Sequence, residues 1–134
     1  MLDIDFFKKV NDNYGHDMGD RVLINFANLI RQELSSRETL FRWGGEEFTV
    51  LCRNTDLEQA RHLGEKLRKA VEASSICPLQ RVTCSVGVAT WHWGEPDEVV
   101  FKRMDDALYA AKQNGRNRVM VESLAPLADA APPQ

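Results

Sequence analysis

The stretch RWGGEEF (residues 42–48) constrains the fold of this 134-residue chain more than any other. The runs on either side, TLF and FTVLC, are apolar and β-prone, so the stretch predicts the tip of a β-hairpin. Gly44 and Gly45 suit the turn. Glu46 and Glu47 do not, because carboxylates about 4 Å apart repel by roughly 1 kcal/mol in water and roughly 4 kcal/mol at an effective dielectric constant near 20. A bound cation would turn this repulsion into affinity, so a metal ion is the first hypothesis for the tip.

Strand and helix patterns alternate along the chain and predict an α/β (α+β) fold, with a mixed sheet flanked by helices. Helical spacing of apolar residues predicts three helices. The first covers about 18–34, the second begins after the N-cap signal at Thr55-Asp56, and the third runs from Pro96 to Gly115. The predicted strands are 39–43, 48–52, a half-buried 81–90, and 118–121. The Pro/Ala-rich tail, 123–134, is expected to be disordered, which leaves 1–122 as one domain.

Composition excludes several classes of protein. The net charge of −3 argues against a nucleic-acid partner. No apolar run approaches 18 residues, so we expect no insertion into a membrane. Three cysteines without C-x-x-C spacing fit reduced thiols in a cytoplasm, and the histidines show no zinc-ligand spacing. His62 and His92 are predicted to lie on the surface. Trp91 and Trp93 are predicted to pack and not to stack on a ligand.

A second acidic cluster, Asp3-Ile4-Asp5, opens the chain. Alternation places both aspartates on the same side of a strand end, about 7 Å apart. If this strand lies beside the hairpin, Asp3 and Glu46 can share a cation with a backbone carbonyl, a ligand set that suits magnesium or manganese bound together with a phosphate substrate. The alternative is that either aspartate only caps a helix over FFKKV.

Five cations could face a polyphosphate: Lys8, Lys9, Lys112, Arg116 and Arg118. The last three lie at a helix C-terminus, where the helix dipole stabilises cations. The structural alternative is therefore that these three serve the helix end and not a phosphate. No glycine-rich phosphate loop is present, so metal and cationic side chains would have to hold a nucleotide. Asn11 and Asp20 could read a guanine edge, although Asn11 also lies in a turn signal and Asp20 near a helix start.

Four segments in this order, LDIDFFKKVNDNYGHDMGD, FRWGGEEF, SVGVAT and DDALYAAKQNGRNRV, resemble the GGDEF family of diguanylate cyclases. The likeness extends from residue 2 to residue 121, and the motif is the GGEEF variant. It implies a nucleotide-cyclase-like, ferredoxin-like fold with the motif on a β-hairpin turn. It also implies that two GTP molecules are joined into cyclic di-GMP, with release of two pyrophosphates, between two antiparallel protomers of a homodimer.

The resemblance carries roles onto individual residues. The implied metal ligands are Asp3, the carbonyl of Ile4, Glu46 and Glu47, for Mg²⁺ or Mn²⁺. The implied catalytic residues are Glu46, which assists hydroxyl deprotonation, Glu47 and Lys8, which stabilises phosphate charge. The implied substrate-binding residues are Asn11 and Asp20 at the guanine, His16, Gly44, Gly45, and Lys112 and Arg116 at the β- and γ-phosphates.

The sequence departs from the family in two places. The positions of the product-inhibition motif R-x-x-D hold Ser35 and Glu38, and Arg37 is out of register, which predicts weak or absent feedback inhibition. The chain also begins at Met1, two residues before Asp3, which predicts a stub of an interior strand with apolar neighbours left exposed.

The opening helix of the family and the sensor domain that usually precedes it are expected to be missing. We expect a cytoplasmic domain, alone or as the cytoplasmic part of a larger membrane-linked protein. Three hypotheses stay open from the sequence. They are an active cyclase, a module that binds GTP or cyclic di-GMP without turnover, and a truncated remnant.

Overall fold

The computed structural model describes residues 1–123. Its strands are β1 (Leu2–Ile4), β2 (Glu38–Gly44), β3 (Glu47–Cys52), β4 (Cys84–Val88) and β5 (Val119–Val121). Its helices are α1 (Phe7–Tyr14), α2 (His16–Glu33), α3 (Leu57–Ala73) and α4 (Asp97–Gln113). The prediction of a disordered tail falls almost wholly on residues 124–134, outside the described part.

The five strands form one mixed sheet in the order β2-β3-β1-β4-β5. Only β4 and β5 run parallel, and the other three pairs are antiparallel. This confirms the α+β fold with a mixed sheet. The predicted hairpin is confirmed as well, with β2 and β3 joined through a turn at Gly45 and Glu46.

Helices cover both faces of the sheet, and β4 shows how they are held. A Cβ built on Gly64 of α3 would lie 3.4 Å from Val86, whereas one built on Gly87 would lie 2.4 Å from the backbone nitrogen of Leu108 in α4. Neighbouring residues of a strand point to opposite faces, so α3 and α4 lie on opposite faces. The lack of a side chain at Gly87 lets the α4 backbone rest directly on the strand.

The main core lies between the sheet and the helices α1, α2 and α3. Its fully buried side chains include Phe26, whose ring centroid is 5.0 Å from that of Phe48 in β3. Helix α3 begins as predicted, because Asp56 caps it in a complete capping box with Gln59. The second cluster, beneath α4, contains Met1, Met104 and Leu108.

The sequence indicates helix α1 only as the alternative in which an aspartate caps a helix over FFKKV. The turn signal at Asn11 is wrong, because α1 runs through it to Tyr14. Its turns bury only Phe7 and Val10, and no side chain caps its start. The helix is therefore stabilised by packing against α2 more than by signals in its own sequence.

Two further sequence predictions were wrong. Strand β4 was expected to be half-buried and is buried at all five residues, because it lies inside the sheet with helices on both faces. Trp93 was expected to pack, but its side chain is 99% exposed. Trp91 is also exposed, although its indole nitrogen donates a hydrogen bond to the carbonyl of Glu95 at 3.0 Å. His62 and His92 are exposed as predicted.

Strand β1 is the predicted interior stub. It pairs with β3 only through Leu2 and Asp3, and with β4 through Leu2, Asp3 and Ile4. An apolar groove of about 1010 Å³ is lined by residues of both β3 and β4. Leu51 of the neighbouring strand β3 lines this groove and is about half exposed, so the expectation of exposed apolar neighbours is confirmed.

The three cysteines are free thiols, as predicted. Within residues 1–123, no helix has the length and apolar character needed to cross a membrane.

Candidate active site

The acidic hairpin tip is fixed by one glycine and one arginine. Gly45 has φ +53°, a left-handed conformation that glycine adopts without cost. Arg42 donates two hydrogen bonds, from Nε at 3.1 Å and from Nη2 at 2.7 Å, to the Gly45 carbonyl. Glu46 and Glu47 are therefore presented by a braced turn. The role of Arg42 was missed in the sequence, since an arginine beside GGEEF carries no signal of where its fork points.

Asp3 lies next to this tip on the neighbouring strand, where it pairs across the ladder with Glu47. Its side chain is almost fully buried, and its Oδ2 contacts the Lys112 ammonium of α4. Burial raises the pKa of Asp3 to about 6; Lys112 opposes the shift, while the charges of Glu46 and Glu47 add to it. The hairpin carboxylates thus lie close enough to Asp3 to act on its pKa.

The predicted metal ligands are of the chemical type that binds a divalent cation, although their side chains do not converge on one point. Asp3 Oδ1 is buried without a hydrogen-bond partner, which is an acceptor that a cation would satisfy. Carboxylates with the Ile4 carbonyl form the hard oxygen set that divalent ions prefer. Among residues 1–123, however, no three acidic, histidine or cysteine side chains converge on one point. The role of Asp3, Ile4, Glu46 and Glu47 as metal ligands stays a prediction.

Asp5 does not cap a helix, so that alternative is wrong. The N-cap of α1 is Phe6, and no side chain caps it. Asp5 is buried and accepts hydrogen bonds from Ser85 Oγ at 2.6 Å, Thr83 Oγ1 at 2.7 Å and the Asn117 backbone nitrogen at 3.0 Å. It is a structural acceptor that ties β1 to β4 and to the segment after α4.

The segment after β1 and the end of α4 meet at three points. Lys112 contacts Asp3, the Asn117 backbone bonds to Asp5, and the Arg116 guanidinium lies 4.5 Å from the centroid of the Phe6 ring. Of the two residues predicted to bind phosphate, Lys112 therefore contacts the buried aspartate, and Arg116 lies over the ring of Phe6. Lys8 is exposed in the first turn of α1, close in sequence to the same corner.

The predicted guanine-reading residues lie on adjacent helices. Asn11 projects from the middle of α1, which excludes its alternative role in a turn, and its Oδ1 is buried without a partner. A Cβ on Gly19 of α2 would lie only 1.8 Å from that oxygen, so Asn11 lies directly over the residue before Asp20. Asp20 and His16 are exposed on α2. Asn11 thus lies against the residue before Asp20, while guanine reading by Asn11 and Asp20 and a role for His16 stay predictions.

A mixed five-stranded sheet, helices on both faces and an acidic hairpin beside a buried aspartate define an α+β domain with a candidate acidic site at the hairpin. The family model for the diguanylate cyclase GGDEF domain matches residues 1–118. The chain belongs to the GGDEF family, as its four motifs predicted.

Relatives and solved structures agree with this assignment. The chain is 46% identical over 120 residues to diguanylate cyclase DgcM of Escherichia coli, and 45% identical over 123 residues to diguanylate cyclase A of Treponema denticola. These alignments cover 90% and 89% of this chain but only 29% and 33% of those proteins. The chain therefore spans about a third of the length of these relatives.

The structure of the active GGEEF domain of a diguanylate cyclase from Vibrio cholerae superposes with a TM-score of 0.83 at 38% identity, covering 92% of this chain and 81% of that one. The GGDEF domain of DgcB from Caulobacter crescentus, solved in complex with cyclic di-GMP, gives a TM-score of 0.80 at 36% identity over 90% of this chain and 74% of that one.

Proposed function

We propose that this chain is a diguanylate cyclase domain, comprising residues 1–122, that condenses two GTP molecules into cyclic di-GMP and two pyrophosphates. The observation that carries the proposal is the three-point junction between β1 and the end of α4. At this junction Lys112 contacts buried Asp3 and the Arg116 guanidinium lies over the Phe6 ring, while Asp3 pairs across the sheet with Glu47 of the hairpin. Family membership and relatives named as diguanylate cyclases support the same reaction.

Recognition of GTP would divide between two ends of this surface. Asn11 offers both a donor and an acceptor to the guanine edge, and Asp20 offers an acceptor. Lys8, Lys112 and Arg116 would neutralise the phosphate chain, because phosphate oxygens pair favourably with ammonium and guanidinium groups. Gly44 and Gly45 leave open space above the turn, since a Cβ at either position would meet nothing within 4 Å. His16, exposed at the start of α2, is a further candidate contact.

In each half of the reaction the 3′-oxygen of one GTP attacks the α-phosphorus of the other. A new phosphorus–oxygen bond forms, the bond to the bridging oxygen of pyrophosphate breaks, and the hydroxyl proton passes to a base. Glu46 is the proposed base, with Glu47 beside it. Mg²⁺ or Mn²⁺, held by Asp3, the Ile4 carbonyl and the hairpin carboxylates, would supply charge neutralisation at the phosphates.

The geometry of the reaction calls for two copies of the domain. One domain offers one guanine-reading pair, so the two GTP molecules would be held by two protomers facing each other. We propose an antiparallel homodimer as the catalytic form. Because GTP is an intracellular nucleotide, the proposed reaction takes place in the cytoplasm.

The test is incubation of the purified chain with GTP and Mg²⁺ or Mn²⁺, followed by chromatographic detection of cyclic di-GMP. Glu46→Gln removes the proposed base at nearly constant volume and is expected to abolish product. Glu98→Gln, an exposed carboxylate in the first turn of α4, is the matched control and is expected to keep product formation. Binding of GTP without product would refute the cyclase and leave a binding module, whereas loss of cooperative unfolding would indicate a remnant.

A further inference from the structure

Phe6 combines features that core packing does not explain. Its backbone is left-handed, with φ 56° and ψ 33°, a conformation that costs a bulky residue on the order of 1–3 kcal/mol. Its ring is 49% exposed, while the adjacent Phe7 is buried in the core. A strained and exposed aromatic residue between two buried ones is a reason to look for a function outside the core.

Two cationic side chains lie over the exposed ring of Phe6. The Arg116 guanidinium carbon lies 4.5 Å and the Lys9 Nζ 4.7 Å from the ring centroid, both within the range of cation–π attraction. In the part of the chain that the structure describes, neither Arg116 nor Lys9 forms an ion pair with a carboxylate. The ring orders these side chains without neutralising them, so the N–H donors of the guanidinium stay free.

The backbone that carries Arg116 is fixed by the residue next to Phe6. Arg116 and Asn117 are both left-handed, with φ 63° and 47°. Asp5 accepts the Asn117 N–H at 3.0 Å, and the Asn117 side chain bonds to Arg68 at 2.9 Å and to Glu72 at 2.6 Å. Two adjacent residues therefore hold two adjacent residues: Asp5 binds the backbone of Asn117, and Phe6 contacts the side chain of Arg116.

We infer that Phe6 is a positioning residue, whose ring holds the Arg116 guanidinium, with Lys9 beside it, toward the phosphate chain of a bound nucleotide. A carboxylate in the same place would order Arg116 equally well but would cancel the charge that attracts phosphate. The left-handed backbone of Phe6 turns the ring out of the core and toward the end of α4. The inference rests on the proposed function, since it takes Arg116 to contact phosphate.

The test compares a non-hydrolysable GTP analogue with GMP by titration calorimetry in the presence of Mg²⁺. Phe6→Leu keeps an apolar side chain and the same backbone strain but removes the aromatic face. It is expected to weaken binding of the triphosphate analogue about 3- to 10-fold and to leave GMP binding unchanged. Phe6→Tyr retains the aromatic face and is expected to bind the analogue within about 2-fold of the unaltered chain.

A purely structural role is separated by Phe6→Gly, because glycine adopts the left-handed conformation without cost. This variant is expected to keep or raise the melting temperature of the protein, and to weaken binding of the triphosphate analogue as much as Phe6→Leu does. Stability and binding that fall together would overturn the inference.

A double-mutant cycle with Arg116→Gln tests the partner directly. In that background Phe6→Leu is expected to have less than half of its effect on analogue binding. An undiminished effect would show that the ring acts elsewhere and would overturn the inference. If the unaltered chain bound no analogue, the proposed function would fall and this inference with it; binding that Phe6→Leu leaves unchanged would overturn the inference alone.

Discussion

Replacing Gly19 by alanine should separate guanine recognition from stability. The added Cβ would lie 1.8 Å from Asn11 Oδ1, 2.9 Å from its Cγ and 3.3 Å from Phe7 Cζ. The first two distances are impossible for non-bonded atoms, so the Asn11 amide must leave its position. It can do so, because it is the end of a side chain and its Oδ1 has no hydrogen bond to lose.

The effect on stability is a small difference between two opposing contributions. Crowding of a packed helix contact costs about 1–3 kcal/mol. Gly19 lies inside α2, where alanine is favoured over glycine by about 1 kcal/mol. We therefore expect a loss of about 0–2 kcal/mol in the free energy of unfolding, which denaturant titration measures.

The effect on GTP should be larger. If Asn11 reads the guanine edge, its displacement leaves polar groups of the base unpaired, at a cost of about 1–3 kcal/mol, or about 5- to 150-fold in affinity. Calorimetry with a non-hydrolysable GTP analogue measures the loss. The corresponding inosine analogue, which lacks the exocyclic amine of guanine, should lose less affinity if that amine is the group that Asn11 reads.

Gly64→Ala is the matched control. It also adds a Cβ to a helical glycine at a packed contact, 3.2 Å from Val119 and 3.4 Å from Val86, but far from Asn11 in the fold. It should leave nucleotide binding unchanged. Unaltered binding of the GTP analogue by the Gly19→Ala variant, with its fold intact, would refute the placement of Asn11 at the base.

Three further predictions concern stability and regulation. Arg103→Met should lower the free energy of unfolding by about 3 kcal/mol in a denaturant titration, because it removes the cation paired with the Glu122 carboxylate, which is 2% exposed. Lys102→Met, which breaks the exposed pair with Asp106, should cost less than about 0.5 kcal/mol in the same titration. The Arg103 guanidinium lowers the pKa of Glu95 from 4.5 to about 2, so the ionised carboxylate stabilises the fold above pH 4.5 and that contribution is lost as the pH falls toward 2. Glu95→Gln should therefore flatten the dependence of unfolding free energy on pH in this window; an unchanged slope would contradict the assignment. Added cyclic di-GMP should not slow the initial rate of the unaltered chain, and Ser35→Arg combined with Glu38→Asp should introduce inhibition; strong inhibition of the unaltered chain would refute the prediction.

The elements with strong local signals were predictable from the sequence. The glycines at the turn predicted the hairpin, and the cap at Asp56 predicted the start of α3. Helix α1 did not, because Phe6 begins it without a side-chain cap and its polar residues are those of a turn. The burial of β4 was hidden by Ser85, whose hydroxyl bonds to Asp5. A polar residue at that position looks exposed until its partner, 80 positions away, is known.

The candidate site was predictable as a set of residues and not as a set of contacts. The motifs supplied Asp3, Lys112 and Arg116, while their juxtaposition depends on where α4 ends relative to β1. The parts played by Arg42 and Phe6 were missed for the same reason, since each acts through the direction of its side chain. Asp5 was misread because a carboxylate before a helical segment resembles a cap, although its donors are Ser85 of β4, Thr83 just before that strand, and the backbone of Asn117 after α4.

The direct contact of α4 with the strand at Gly87 has a consequence for how this domain tolerates mutation. Any side chain there would meet helix backbone at 2.4–2.9 Å, and backbone, unlike the Asn11 amide, cannot swing aside. The helix would have to lift, and Lys112, about one turn beyond Leu108, would move relative to Asp3. In a saturation mutagenesis screen scored by cyclase output, position 87 should tolerate as few substitutions as Asp3, the proposed metal ligand, although Gly87 has no proposed contact with substrate or metal. Intolerance in such a screen would therefore mark the supports of the site as well as its contacts.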